Sequence, residues 1–84
     1  MFDSSRLPVL EALLRERARQ DQLWGIQNHV DAWWNVIATE EAGEVAREIY
    51  EHNDKNLFTE VIQTCAVYFQ WAEAIHGRQQ LFDQ

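Results

Sequence analysis

The sequence predicts an all-α protein, and three observations support this fold class. Apolar residues recur at intervals of three and four along most of the chain, which is the spacing of one helix face. No segment alternates apolar and polar residues over the roughly four to eight positions that are typical of a strand. The single proline, Pro8, lies near the amino terminus, where a first helical turn tolerates it. We therefore expect one helical-bundle domain spanning residues 1–84.

The first predicted helix runs from about residue 5 to about residue 22. Asp3, Ser4 and Ser5 are suitable N-cap residues for it. Gly25 interrupts the helical pattern, so the segment WGIQN is expected to be a loop or a bend. The residues expected on the buried face are Leu7, Leu10, Leu13, Leu14 and Ala18, with the charged residues Arg15, Glu16, Arg17 and Arg19 around the rest of the helix.

Two further helices are predicted to form an antiparallel hairpin. Asn28 is expected to cap the second helix, with Asp31 near its start, where an acid complements the helix dipole. Asn53 is expected to end this helix in a left-handed conformation, and Asp54 to cap the third helix after a very short turn. Such a turn forces the two helices to lie antiparallel. Gly77 is expected to end the third helix, which leaves RQQLFDQ as a tail or as the beginning of a short element.

The chain is rich in hydrophobic residues for its size: they make up 46% of 84 residues and include four Trp, four Phe and two Tyr. A domain this small buries only roughly 60–65% of the surface that its unfolded chain exposes. We therefore expect a homodimer or a homotetramer to complete the bundle. Trp33 and Trp34 are adjacent and point about 100° apart on a helix, so one of them is expected to meet a partner chain. Phe69 and Trp71 are likewise assigned to packing and subunit contact.

Charge and cysteine content disfavour several classes of function. The net charge is −7, and residues 21–76 carry ten acidic residues against Arg47 and Lys55. Such a chain repels nucleic-acid backbones, so no nucleic-acid polymer is expected as a partner. Cys65 is the single cysteine and is interpreted as a small buried hydrophobe in a reducing compartment. No apolar run approaches ~18 residues, so we expect no signal peptide, no membrane span and a cytoplasmic location.

The segment EEAGE, residues 40–44, places carboxylates where the apolar pattern of the second helix predicts buried residues. Glu41 and Glu44 are three residues apart, so their Cβ atoms lie about 5–6 Å from each other on one side of the helix. One interpretation is a solvated face on which Arg47 pairs with Glu44. The other is that a cation lies between the two carboxylates, and that Gly43 permits a close approach beside them.

The third helix favours the metal interpretation. Glu60 and Gln63 are also three residues apart, and Glu60 lies about as far after the hairpin turn as Glu44 lies before it. In an antiparallel hairpin, such side chains meet between the helices. Hard oxygen ligands of this kind select Mg²⁺ or Mn²⁺ and leave coordination positions for water and phosphate. The predicted ligands are Glu41, Glu44, Glu60 and Gln63.

The spacing of these side chains resembles that of a known enzyme family. An E-x-x-E motif falls on Glu41 and Glu44, and the following helix carries a related motif at Glu60 and Gln63. This pattern is similar to the MazG-like members of the all-α nucleoside triphosphate pyrophosphohydrolases, in which the second motif is E-x-x-D. Gln63 therefore departs from the family pattern. Upstream, DQLWGIQNH resembles the stretch that lines the nucleobase pocket in that family, and the whole resemblance covers about residues 20–76.

The resemblance implies a catalytic activity. Family members hydrolyse a nucleoside or deoxynucleoside triphosphate to the monophosphate and pyrophosphate, with Mg²⁺ on the triphosphate. On this basis Glu41, Glu44 and Glu60 bind the metal, and one of them orients or deprotonates the attacking water. Gln63 offers only a neutral amide oxygen, so it holds the metal weakly or through a water molecule. The expected cellular role is nucleotide-pool house-cleaning.

The resemblance also implies substrate contacts, each of which has a structural alternative. Trp24 is the candidate for stacking on the base, although a tryptophan at a helix end often covers the core. Asn28 and His29 offer hydrogen bonds to the base edge, although Asn28 is also the expected helix cap. Lys55 is a candidate phosphate contact and, in the alternative, an ordinary surface charge. None of these residues indicates which base is preferred, or whether the sugar is ribose or deoxyribose.

Two other classes of function compete with the enzyme. A helical oligomer that has lost catalysis at Gln63 would bind a protein or a nucleotide through its tryptophan surfaces. A redox di-iron bundle would need Glu-x-x-His pairs. Glu48 and His52 are four residues apart, and the Glu-x-x-His pair at residues 73–76 lies at the far end of its helix from Glu60. The sequence therefore disfavours the di-iron class and leaves the binding module as the alternative.

Overall fold

A computed structural model describes residues 3–82 of the chain and shows the predicted all-α fold. A single turn of 3-10 helix precedes three α-helices, and the described part of the chain contains no strand. The 3-10 turn is Ser4–Arg6, α1 is Leu7–Trp24, α2 is Asp31–Tyr50 and α3 is Asp54–Phe82. The helix α3 packs against both α1 and α2, whereas α1 and α2 do not approach each other closely. None of these helices combines the length and apolar character that crossing a membrane requires.

The helix α1 begins at Leu7 and ends at Trp24, two residues later at each end than predicted, and its N-cap is Arg6, which makes no side-chain capping bond. The Asp3 carboxylate accepts a hydrogen bond of 2.9 Å from the backbone N–H of Ser5 and so caps the 3-10 turn. Pro8 lies in the first turn of α1, where its missing N–H breaks no helical hydrogen bond. Gly25 ends α1 with a positive φ of 66°, a conformation that favours glycine.

The start of α2 differs from the prediction. The N-cap residue is Val30 and not Asn28, and no side chain caps this end. The carbonyl oxygen of Val30 accepts hydrogen bonds from the backbone N–H groups of Trp33 and Trp34, at 3.0 and 3.1 Å. The helix therefore begins at Asp31, whose carboxylate lies in the first turn and complements the positive end of the dipole.

The turn between α2 and α3 is short, as predicted, but the left-handed residue and the capping residue of α3 each lie one residue earlier than predicted. The left-handed residue is His52, with a φ of 55°, and not Asn53. The chain closes through a hydrogen bond of 3.0 Å from the Asn53 N–H to the Glu48 carbonyl, which requires the residue before Asn53 to be left-handed. The Asn53 carbonyl then accepts the first hydrogen bonds of α3, so Asn53 takes the capping position expected of Asp54.

The prediction that Gly77 ends α3 is wrong, because the helix continues to Phe82. A glycine weakens a helix interior by about 1 kcal/mol relative to alanine without ending it. Arg78, in the extension, donates two hydrogen bonds of 3.2 Å to the Asp31 carboxylate on α2. This contact favours a helical course for the predicted tail, whose last two residues lie outside the described part of the chain.

The apolar core lies within the α2–α3 hairpin. Trp34 is 1% exposed and packs against Ala38 on its own helix and Val67 on α3. The small neighbour Ala38 leaves room for the large indole ring. Trp33, by contrast, is 52% exposed. Only one of the two adjacent tryptophans is therefore in the core of the chain. Trp71 packs against the same cluster, and its indole N–H donates a hydrogen bond of 2.9 Å to Asp31.

The buried face of α1 is polar, so the predicted face is wrong for several residues. Leu7 and Leu14 are 43% and 49% exposed, and Ala18 is exposed as well. The spacing of apolar residues cannot identify a buried helix face that consists of polar side chains. Such a face can be buried because other residues of the protein pair with its polar groups. The buried residues of α1 are instead Glu16, Arg17 and Gln20.

Arg17 connects α1 to α3 through hydrogen bonds and ion pairing. Its Nε and Nη2 donate hydrogen bonds of 3.2 and 2.9 Å to Oε1 of Glu73 on α3. Its Nη1 lies 3.1 Å from the carboxylate of Asp21, one turn further along α1. The buried guanidinium is therefore paired with two carboxylates, which offsets the cost of removing its charge from water.

Cys65 is exposed, so its interpretation as a buried hydrophobe is wrong. It lies on the side of α3 that α1 covers only partly, at the edge of an apolar groove of about 380 Å³. Val9 and Leu10 of α1 and Ile62 of α3 also line this groove.

Candidate metal centre

Three glutamates from the two helices of the hairpin converge. Glu41 and Glu44 of α2 and Glu60 of α3 each bring one carboxylate oxygen within 4.8 Å of the other two. The spacing of three residues puts Glu41 and Glu44 on one side of α2, and the antiparallel register places Glu60 opposite them. All three are partly buried. The structure therefore brings together the three carboxylates that the sequence predicts as ligands.

Burial and the neighbouring carboxylates raise the pKa of two of these residues, Glu41 and Glu60. Burial raises the pKa of Glu41, and the negative charges of Glu44 and Glu60 raise it further. Burial is also the largest cause of the raised pKa of Glu60, and the neighbouring Glu44 carboxyl and the charge of Glu48 raise it further. A divalent cation among these groups would replace their mutual repulsion with attraction. Oxygen donors of this type fit Mg²⁺ or Mn²⁺.

Two other residues of the predicted site lie close by in the sequence. Gln63 follows Glu60 on α3 and is partly buried, so it remains available as a neutral oxygen donor. Gly43 lies between Glu41 and Glu44, but a Cβ atom built there would meet no protein atom within 4 Å. Gly43 is therefore not needed for close packing within the described chain, and the expected close approach would have to come from a bound ligand.

A cleft of about 250 Å³ adjoins the carboxylates. It opens between α1 and α2 because each of these helices packs on α3 but not on the other. Trp24 of α1 lines the cleft and is 56% exposed, whereas Trp34 contributes a buried surface. Glu41 belongs to both the cleft and the carboxylate group. The complete lining is Gln20, Trp24, Gln27, Trp34, Ile37, Glu41, Val67 and Gln70.

The remaining predicted substrate contacts are dispersed. Asn28 lines a neighbouring cavity of about 450 Å³ and not the cleft that contains Trp24. The His29 ring packs edge-on against Trp34, with ring centroids 4.9 Å apart. Its Nε2 lies 3.0 Å from Oε1 of Gln27. Lys55 is exposed in the first turn of α3, five residues before Glu60.

Sequence reasoning missed a polar group of α1 beside Glu41. Arg19 donates hydrogen bonds of 2.8 and 2.7 Å to the Glu16 carboxylate, and Gln20 donates one of 3.0 Å. The hydrogen bond with Arg19 holds the pKa of Glu16 below its usual value. The charge of Glu16 contributes to the raised pKa of Glu41. The spacings of three and four residues on α1 indicate that these side chains can pair, but they do not indicate that the pair is buried or lies beside Glu41.

Comparison with models of protein families, with curated proteins and with solved structures finds no match to this chain. The carboxylate group and the cleft are therefore the features that bear on its function.

Proposed function

We propose that the chain is a divalent-cation-dependent pyrophosphohydrolase that converts a nucleoside or deoxynucleoside triphosphate to the monophosphate and pyrophosphate. The observation that carries this proposal is the position of Glu41, which belongs both to a group of three converging carboxylates and to a cleft lined by Trp24. A cation site next to an aromatic cleft suits a ligand with a polyphosphate at one end and a planar base at the other.

In this proposal Glu41, Glu44 and Glu60 hold Mg²⁺ or Mn²⁺. The bound cation neutralises charge on the phosphate oxygens, which a protein with a net charge of −7 would otherwise repel. The raised pKa of Glu41 and that of Glu60 make each a stronger base than an ordinary carboxylate. One of the two accepts a proton from water as the water oxygen bonds to the α-phosphorus and the bond to pyrophosphate breaks.

The cleft supplies the proposed base site. The exposed indole of Trp24 offers a stacking surface at its edge. The side-chain amides of Gln20 and Gln70 also line the cleft and can donate to or accept from a base edge. The triphosphate would then extend past Glu41 toward the other carboxylates. Nucleotide-pool house-cleaning in the cytoplasm is the cellular role that fits this activity.

The test is pyrophosphate release from a panel of NTPs and dNTPs with Mg²⁺, with Mn²⁺ and with EDTA. We expect metal-dependent release that Glu41→Gln lowers by about 10²-fold or more, because the substitution removes a ligand and a candidate base. Glu40→Gln is the matched control, since Glu40 is the exposed neighbour outside the carboxylate group. Absence of release with every nucleotide and either cation would contradict the proposal.

A second candidate is an impaired helical oligomer that binds a protein or a nucleotide. The observation that favours it is the amount of exposed apolar surface, with Ile26, Tyr50 and Val30 at 95%, 84% and 72% exposure. Phe58, Val61 and Tyr68 add an exposed stripe on α3 that a homodimer or a homotetramer would cover. Mg²⁺ or Mn²⁺ should raise the Tm of the enzyme through linkage and leave that of a binding module unchanged.

A further inference from the structure

Glu48 is a buried carboxylate that the proposed cation site does not use. Its residue exposure is 6%, and its Oε2 atom is enclosed without a hydrogen-bond partner in the described part of the chain. A carboxylate taken out of water without a partner is unfavourable by several kcal/mol. A buried and unpartnered oxygen of this kind indicates that something other than the surrounding protein satisfies it.

Glu48 lies on the side of the carboxylate group that is nearer to the turn between α2 and α3. It follows Glu44 by four residues on α2, so the two side chains lie on one side of that helix, one turn apart. Across the hairpin, Oε2 of Glu60 is also enclosed and without a partner among the described residues. Glu48 lies five residues before Asn53 and Glu60 lies seven residues after it, so the antiparallel register places both residues in the half of the hairpin next to the turn.

One cation among the three converging carboxylates does not account for both unpartnered oxygens. The group whose oxygens lie within 4.8 Å of one another consists of Glu41, Glu44 and Glu60, and Glu48 is outside it. Glu60 has two carboxylate oxygens, so it can face the first group with one and Glu48 with the other. A second cation would give Glu48 a partner and would occupy the remaining oxygen of Glu60.

We propose that Glu48 and Glu60 hold a second divalent cation, on the hairpin-turn side of the cation assigned to Glu41, Glu44 and Glu60. This inference rests on the proposed function, because the two ions share Glu60. Two ions that share a carboxylate neutralise more of the charge on a triphosphate and on the pyrophosphate that leaves it.

A shared proton is the competing explanation of the same geometry. If Glu48 and Glu60 were satisfied by a proton between them, no second ion would be needed. The two explanations differ in the number of ions bound per chain, which can be measured without any substrate. Activity is therefore not the readout of choice, since Glu48→Gln would lower it under several mechanisms.

The experiment is titration of the metal-stripped full chain with Mn²⁺, followed by calorimetry and by the electron paramagnetic resonance signal of free Mn²⁺. We expect two ions per chain in the wild type and one in Glu48→Gln. Glu51→Gln is the matched control, because Glu51 lies three residues further along at the end of α2 and is exposed. It should still bind two ions.

The outcomes separate this inference from the proposed function. One ion in the wild type, with the same affinity in Glu48→Gln, would overturn the second site and leave the pyrophosphohydrolase in place. No ion in the wild type would overturn both. Two ions in both the wild type and Glu48→Gln would overturn the assignment of the second ion to Glu48. A wild-type stoichiometry of one overturns the second site even if Glu48→Gln does not fold, and circular dichroism of the variant establishes whether it does.

Discussion

The two walls of the cleft are held in place by different forces. On the α2 side, Trp34 and Ala38 are almost fully buried against Val67 of α3. On the α1 side, Arg17 donates hydrogen bonds to Glu73 of α3, and the Glu73 side chain is 54% exposed. Apolar burial is difficult to disrupt locally, whereas a half-exposed ion pair stabilises only modestly. The α1 wall is therefore the one we expect to open first.

The largest effect is expected from the α2 wall. Trp34→Ala should lower the free energy of unfolding by about 3–5 kcal/mol, because it leaves a cavity where the indole was. This is comparable with the whole stability of a small domain, typically about 5–15 kcal/mol. The measurement is urea denaturation followed by far-ultraviolet circular dichroism. We expect Trp34→Ala to be largely unfolded or to have a much lower midpoint.

The adjacent tryptophan provides the control for that experiment. Trp33→Ala should change the free energy of unfolding by less than about 1 kcal/mol, since the side chain is 52% exposed and leaves no enclosed cavity. An equally large loss in both variants would contradict the distinction between the two faces of α2. It would instead indicate that a second copy covers Trp33 in solution, and the dependence of the midpoint on protein concentration would test this.

A smaller effect is expected from the α1 wall. Glu73→Gln should lower the free energy of unfolding by about 0.5–1 kcal/mol, because Arg17 keeps Asp21 as a partner and Glu73 is half exposed. Amide hydrogen exchange should show faster exchange in α1, with little change in α2 and α3. The loss should decrease at high salt, where the remaining charges are screened.

The control for this variant removes an ion pair that does not connect two helices. Glu11 and Arg15 lie 3.7 Å apart within α1 and are both mostly exposed. Glu11→Gln should leave the stability and the exchange of α1 nearly unchanged. If Glu73→Gln accelerated exchange equally in all three helices, α1 and the hairpin would unfold as one unit, and the comparison between the walls would fail.

The same contrast explains how far the sequence predicts this molecule. The hairpin is predictable because apolar spacing and a short turn both specify it, and the convergence of Glu41, Glu44 and Glu60 follows from that register. The packing of α1 cannot be predicted from the sequence, because Glu16 and Arg17 are buried by pairing with other residues, and tertiary structure decides which residues come close. A charged residue on a helix has no local signal that distinguishes a buried pair from a solvated one.

The smallest effect is expected when two carboxylates, one from each wall, are compared in the absence of metal. The pKa of Glu41 is raised above its ordinary value of 4.5 by burial and then by the neighbouring carboxylates. Its contribution to stability is therefore fully present below the ordinary value and is lost as pH rises through the raised pKa. The pKa of Glu16 is lowered by its hydrogen bond with Arg19. Its contribution is present above the ordinary value and is lost as pH falls through the lowered pKa.

The two carboxylates should therefore respond to substitution with opposite signs. In EDTA near pH 7, Glu41→Gln should stabilise the chain, because it removes a charge that its neighbours repel. Glu16→Gln should destabilise it, because Arg19 loses a charged partner. Urea denaturation between about pH 2 and pH 8 measures both slopes, because the contribution of Glu16 changes only at the acid end of this range. Excess Mg²⁺ should reverse the sign for Glu41→Gln, since a bound cation stabilises only the chain that retains its ligand, and should leave the sign for Glu16→Gln unchanged. The same sign for both variants in EDTA would mean that the repulsion among the glutamates is already relieved without metal, which would remove the electrostatic reason for a cation at this site.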